Sequence, residues 1–172
     1  VIEQEGAASM IMVGKRGEEA DFASFRLGAH LERFIRASHK PVFVASRAFK
    51  PIDTAIVAYD GGASSQRVVD HIARNKLFSG LKIDLVTVGS RNRDTEKALE
   101  NAKAVLTGAG LEVDTTILSG QPDEVLGKRV EEHGAALVAM GAYGHSRIRA
   151  FVLGSTTSEM LRSCKAPVLL MR

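Results

Sequence analysis

The chain has 172 residues, with 23 Lys+Arg against 20 Asp+Glu and a formal net charge of +3. Hydrophobic residues make up 45% and charged residues 25%, the balance of about one ordinary globular domain rather than a disordered tail or a collagen-like rod. The single cysteine excludes an internal disulfide and a thiolate zinc site, and so small a basic excess, unless clustered, excludes a nucleic-acid footprint.

The chain opens Val-Ile-Glu-Gln-Glu, without the basic and apolar regions of a secretory signal. No apolar stretch reaches the roughly 20 residues that cross a bilayer. Without an initiator methionine, the sequence is expected to start partway through something longer. Met10–Val13 reads as a strand, and Pro41–Ser46 as another. From Asp53 onward the pattern is regular. Thr54–Tyr59 is a short apolar strand ending at Asp60-Gly61-Gly62. Ser64 and Ser65 are N-cap types before a helix with Val68, Val69, Ile72 and Ala73 at helical spacing. Ile83–Val88 is a second strand. Asp94 opens a helix whose apolar face runs from Ala98 to Ala109, with Gly110 placed as a C-terminal glycine.

Leu111–Leu118 is a more polar strand, expected at a sheet edge. Gly120-Gln121-Pro122-Asp123 turns into a third helix that stops near His133-Gly134. Ala135–Met140 has no polar residue, as a strand buried on both faces requires. A glycine-punctuated loop, a helix from Ser155 to Ser163 and a strand from Pro167 to Met171 complete the chain. Strands alternating with helices predict an α/β domain with a parallel sheet.

The first 52 residues repeat the end of that domain. Val13-Gly14-Lys15-Arg16-Gly17 matches Met140-Gly141-Ala142-Tyr143-Gly144 at an offset of 127, and Gly28, Arg36, Pro41 and Val42 match Gly154, Arg162, Pro167 and Val168 at an offset of 126. We read residues 1–48 as the C-terminal remnant of a first domain, 49–52 as a linker and 53–172 as a complete second domain.

The stretch Gly141–Ser155 follows a buried strand and opens a helix. Its glycines admit close approach of a ligand, and the free amides of a helix start favour an anion. Ser155, Thr156 and Thr157 add hydroxyls, although Thr156 with Glu159 also fits a capping box. His145, Arg147 and Arg149 lie within the loop, either touching a phosphate or serving as solvated charge. If the first and fourth strands are neighbours, Asp60, at the carboxyl end of the first strand, faces this loop across the crevice where strand order reverses, and can accept from ribose hydroxyls; alternatively it closes a turn on its own backbone. There is no Walker motif and no G-x-G-x-x-G after the first strand, which points to binding more than to fast phosphoryl transfer.

Gly141-x2-Gly144-x9-Gly154-Ser155, with a first strand ending in Asp60, resembles the universal stress proteins over residues 53–172. The resemblance implies a Rossmann-like open parallel sheet of order 3-2-1-4-5 with helices on both faces, holding ATP (or ADP or AMP), usually with Mg2+ or Mn2+ between phosphate oxygens. It implies that Asp60 contacts ribose and the Val88 backbone contacts adenine. Ala58 and Tyr59 would line the base pocket, Gly141 would approach the ribose, and Gly144, Gly154, Ser155 and Thr156 would hold the phosphates; from their position in the sequence, Met140, His145, Arg147 and Thr157 are further candidates for ATP contact. The N-terminal copy has one extra loop residue and Ala29 in place of the hydroxyl, so no nucleotide is expected there.

The expected function is that of a tandem-type, cytosolic, ATP-binding regulatory module of the stress response, with no catalytic residue and at most slow ATP hydrolysis. The alternatives are a nucleotide-free module docking on a transporter or kinase, and a slow ATPase. The resemblance implies that the last strands of paired domains lie antiparallel across a two-fold axis, so Pro41–Ser46 is expected to pair with Pro167–Met171 within the chain, leaving Met10–Val13 as an open edge for a homodimer. An unidentified regulated protein is an expected partner; nucleic acid and membrane insertion are not. Cys164, four residues after Met160, is read as core.

Overall fold

A computed structural model describes residues 6, 8–14, 29–134, 136–142 and 155–172. Among these residues, seven strands form one sheet: β1 (Ile11–Gly14), β2 (Val42–Ala45), β3 (Thr54–Ala58), β4 (Lys82–Val88), β5 (Glu112–Leu118), β6 (Ala136–Gly141) and β7 (Val168–Met171). Five helices connect them: α1 (Ala29–Ala37), α2 (Ala63–Arg74), α3 (Arg93–Gly108), α4 (Pro122–His133) and α5 (Ser155–Ser163), with a 3-10 turn at Lys76–Phe78.

The sheet order is β1-β2-β7-β6-β3-β4-β5. The five strands from β3 to β7 run in the expected 3-2-1-4-5 order, all parallel. The whole sheet is larger and mixed, because the two N-terminal strands join it. β2 pairs antiparallel with β7 through Phe43 opposite Leu169, while β1 pairs parallel with β2. A sheet buried on both faces by crossover helices accepts an antiparallel addition at its edge without disturbing the parallel ladders. β5, the most polar strand, closes the far edge, as its sequence requires.

Alternation of side chains divides the core in two. Ile56, Val86, Val138 and Leu170 point to one face, under Leu31 and Ile35 of α1, Leu126 and Val130 of α4, and Met160 and Leu161 of α5. Ala55, Leu85, Leu137 and Leu169 point to the other, under Val68, Val69 and Ile72 of α2 and Leu99, Ala102 and Leu106 of α3. Cys164 is buried in the first of these clusters, as core.

Several helix starts differ from the sequence reading. Gly62, not a serine, is the N-cap of α2, and no side-chain cap bond is made there; Ser64 and Ser65 lie buried inside the first turn. At α3, Asn92 caps the helix by accepting from the Thr95 amide at 2.9 Å. The repeat in sequence has a counterpart in the elements. α1 and β2, shifted by 126, fall on α5 and β7, and β1, shifted by 127, falls within β6.

Candidate functional site

The strand order reverses at β3. From it the chain moves outward to β4 and β5, then returns to the other side as β6 and β7. The carboxyl ends of β3 and β6 therefore bound the crevice in which doubly wound folds place ligands.

Asp60 stands just beyond β3, exposed at this mouth. The strand holds on up to it, for the Tyr59 amide donates to the Val86 carbonyl (2.8 Å) and the Thr87 hydroxyl donates to the Tyr59 carbonyl (2.8 Å). Asp60 Oδ1 accepts the Gly62 amide at 2.9 Å and the Ser65 hydroxyl at 2.6 Å. This is the turn chemistry of an aspartate closing on the backbone two residues on. Gly61, at φ +75°, supplies the left-handed residue that the turn needs.

Ala58, Val88 and Met140 come together on one face of β3, β4 and β6, toward α4 and α5. Tyr59 does not join them: alternation sends its ring to the opposite face, beneath α2. Its hydroxyl donates to Gln66 Oε1 at 3.0 Å. Burial raises the phenol above its usual pKa, and the negative charges of Asp60 and Asp70 push the same way. Only the Tyr59 backbone faces the strand end.

Across the crevice, Gly141 is the last residue of β6. A β-carbon there would lie 2.5 Å from Ser64 Oγ and 3.1 Å from the Ser65 amide nitrogen. The glycine thus lets the first turn of α2 seat against the end of β6. At the start of α5, Ser155 is exposed and Thr156 half-buried. Thr157 is buried, and its hydroxyl turns back to the Gly141 and Ala142 carbonyls at 3.4 and 3.5 Å. Ser155 and Thr156 therefore carry the hydroxyls on the open side of the helix start, whereas Thr157 braces it. Gly144, His145, Arg147, Arg149 and Gly154 lie outside the described residues.

Sequence reasoning passed over Ser65 as a cap and Gln66 altogether. The signal was present in Asp60-Gly61-Gly62 followed by a serine five residues after the aspartate, a spacing that a tight turn folds back onto the carboxylate.

A doubly wound, Rossmann-like sheet with an acidic residue and a helix start on either side of its switch point defines the class of this domain. The chain belongs to the universal stress protein family, whose description matches residues 89–172. It is 41% identical to a universal stress protein of Synechocystis sp. over 170 residues, 98% of this chain and 59% of that protein. Among solved structures, a universal stress protein from Archaeoglobus fulgidus aligns with a TM-score of 0.78 and 26% identity, over 99% of this chain and 65% of that one. A universal stress protein solved in complex with cAMP aligns with a TM-score of 0.59 and 27% identity, over 72% of this chain and 98% of that one. The chain spans about three fifths of the length of its Synechocystis relative. Among the described residues, no helix is long and apolar enough to cross a membrane.

Proposed function

We propose that the chain is an adenine-nucleotide-binding regulatory module that holds ATP, or ADP or AMP, between Asp60 and the start of α5. The observation that carries this reading is the placement of the Asp60 carboxylate and the exposed Ser155 hydroxyl at the two sides of the switch-point crevice. The cAMP complex of a related protein supports the ligand class. Ala58, Val88 and Met140 form an apolar wall suited to a base, and the amides at the start of a nine-residue α5 suit a phosphate. Gly144, His145, Arg147 and Gly154 remain proposed phosphate contacts on sequence grounds.

No group of three or more acidic, histidine or cysteine side chains that could hold a metal ion occurs among the described residues. A Mg2+ or Mn2+ ion would sit with the nucleotide's own phosphate oxygens, and no side chain of the chain is assigned to it. Such an ion neutralises phosphate charge; the residues of the chain bind and orient.

Regulation follows when the ligand binds one conformation better than another. We assign residues 1–48 to the C-terminal part of a first domain copy and 49–52 to its linker. The module is proposed to work in the cytosol as a homodimer joined through sheet edges, acting on a regulated protein. The recurrence of β6, α5 and β7 in β1, α1 and β2 supports the tandem reading.

One observation favours a nucleotide-free module instead. Asp60 Oδ1 is already bonded by Gly62 and Ser65, and Gly141 is explained by its contact with Ser64. Mass spectrometry of small molecules released on denaturation separates the two. Adenine nucleotide near one per chain supports the binding reading, as does a rise in melting temperature with magnesium and ATP that Asp60→Ala removes. No nucleotide and no rise establish the alternative.

A further inference from the structure

We propose that Ser65 is a positioning residue that holds the Asp60 carboxylate ready for the 2′ and 3′ hydroxyls of a ribonucleotide. This rests on the nucleotide-binding reading above. An exposed aspartate at a strand end samples several rotamers unless something holds it. Here the holder is buried: Ser65 is 2% exposed, fixed in the first turn of α2, whose Val68, Val69 and Ile72 are packed in the core.

The hydroxyl has a single proton and two acceptors in reach, Asp60 Oδ1 at 2.6 Å and the Gly62 carbonyl at 3.0 Å. The shorter contact to the charged acceptor takes it, since charge-assisted O–H···O bonds are the stronger and lie at about 2.5–2.7 Å. Ser65 does not cap the helix, because that position belongs to Gly62. The hydroxyl is therefore free of the usual duty of a serine at a helix start and is spent on the carboxylate.

The neighbouring residue extends the arrangement. Ser64 seats against Gly141 at the end of β6, so one helical turn touches both sides of the crevice and sets the distance from Asp60 to β6. A carboxylate offers about four acceptor directions, so it can accept a ribose hydroxyl alongside bonds from the protein such as those of Ser65 and Gly62. Because its orientation is fixed beforehand, binding does not have to pay for ordering that side chain.

The test is calorimetric titration of AMP and 2′-deoxy-AMP into wild type, Ser65→Ala, Ser65→Thr and Asp60→Ala, each checked for native circular dichroism. In wild type and Ser65→Thr, AMP is expected to bind more tightly than its deoxy analogue. Ser65→Ala is expected to lose about two- to tenfold in AMP affinity and less for 2′-deoxy-AMP, so that the preference narrows toward that of Asp60→Ala. A change in general stability would weaken both ligands alike and leave the ratio intact, which overturns the proposal. If Asp60→Ala collapses the preference and Ser65→Ala does not, the site stands and the role of Ser65 falls. If Asp60→Ala changes neither affinity, the site reading itself has failed, and the role of Ser65 with it.

Discussion

Gly141 and Ser64 approach so closely that a β-carbon at position 141 would sit 2.5 Å from the serine Oγ and 2.9 Å from its β-carbon. The backbone of β6 and the first turn of α2 are thus in direct contact, and a methyl group between them must push one aside. Overpacking of this kind costs typically about 1–3 kcal/mol. Gly141→Ala is expected to lower the melting temperature by several degrees in scanning calorimetry, given about 2–4 °C per kcal/mol for a chain of this size. Adding Ser64→Gly to Gly141→Ala removes the two nearest atoms and should recover part of the loss. An unchanged melting temperature in the single variant would mean that α2 is not seated against β6.

A second relationship lies on the α4 side of the sheet, away from the crevice. Asp84 on β4 is 3% exposed. Its Oδ2 accepts Arg129 Nε at 2.9 Å and is 2.7 Å from the second guanidinium nitrogen, with His133 Nε2 at 3.1 Å. Oδ1 is buried with no hydrogen-bond partner among the described residues. The bond to Asp84 holds the Arg129 guanidinium above its usual pKa, outweighing its partial burial. Removing one partner of a fully buried pair costs about 3–5 kcal/mol; here Arg129 is a quarter exposed and His133 stays beside the carboxylate, so that figure is an upper bound. Arg129→Met is expected to reduce unfolding free energy in a urea titration by about 1–3 kcal/mol, since the carboxylate keeps only His133 beside it. The double variant Asp84→Leu, Arg129→Met should lie far closer to wild type, because no charge is left uncompensated. A loss of less than half a kcal/mol for Arg129→Met alone would show that His133 or water satisfies the carboxylate without the guanidinium.

How much of this was legible in the sequence depends on whether a residue's task is local. The strands from β3 to β7 were readable because each is a short apolar run between turn residues, and β5 was readable as an edge from its polarity alone. The antiparallel seam of β2 and β7 followed from the resemblance, which no periodicity supplies. The face to which the Tyr59 ring turns was not legible, because a one-residue step flips a strand side chain to the other face and the residue just past a strand gives little pattern to count from. Ser65 looked like a cap because serine before a helix usually is one. Only the fold shows the aspartate five residues earlier lying within its reach. The tie between His133 and Asp84 was not legible, since the two are 49 residues apart in sequence. Gly141 was legible as special, but for a ligand's sake; its contact with α2 is a tertiary fact.

His71, on α2, supplies a pH test. Its ring meets Phe78 edge-on, with centroids 5.7 Å apart and planes at 69°, and burial lowers its pKa below the usual value near 6.5. The folded protein therefore binds this proton less tightly than the unfolded chain. The stabilisation from keeping the ring neutral is fully present above about pH 6.5 and is lost as pH falls through the folded value. Across that interval stability rises with pH, since the unfolded state holds more protons. In urea titrations from pH 5 to 8, His71→Gln should show a flatter acid limb than wild type. Equal slopes in the two proteins would place the acid sensitivity on other groups.

The last prediction concerns β1. Exposure grows along one row of paired residues on the α2 side: Leu169 of β7 is 0% exposed, Phe43 of β2 is half-buried and Met12 of β1 is 65% exposed. β1 pairs only with β2 among the described strands, so half of its backbone groups point outward. The Ile11 amide donates to the Pro41 carbonyl at 2.9 Å; alternation along the strand turns the Met12 amide to the open edge. Proline at an outward-facing position removes an edge donor while leaving the inner ladder intact. Light scattering of the wild type should report the mass of a dimer, and Met12→Pro should report a monomer with unchanged circular dichroism. A dimer that survives Met12→Pro would place the contact elsewhere, and a monomeric wild type would remove the edge-pairing proposal altogether.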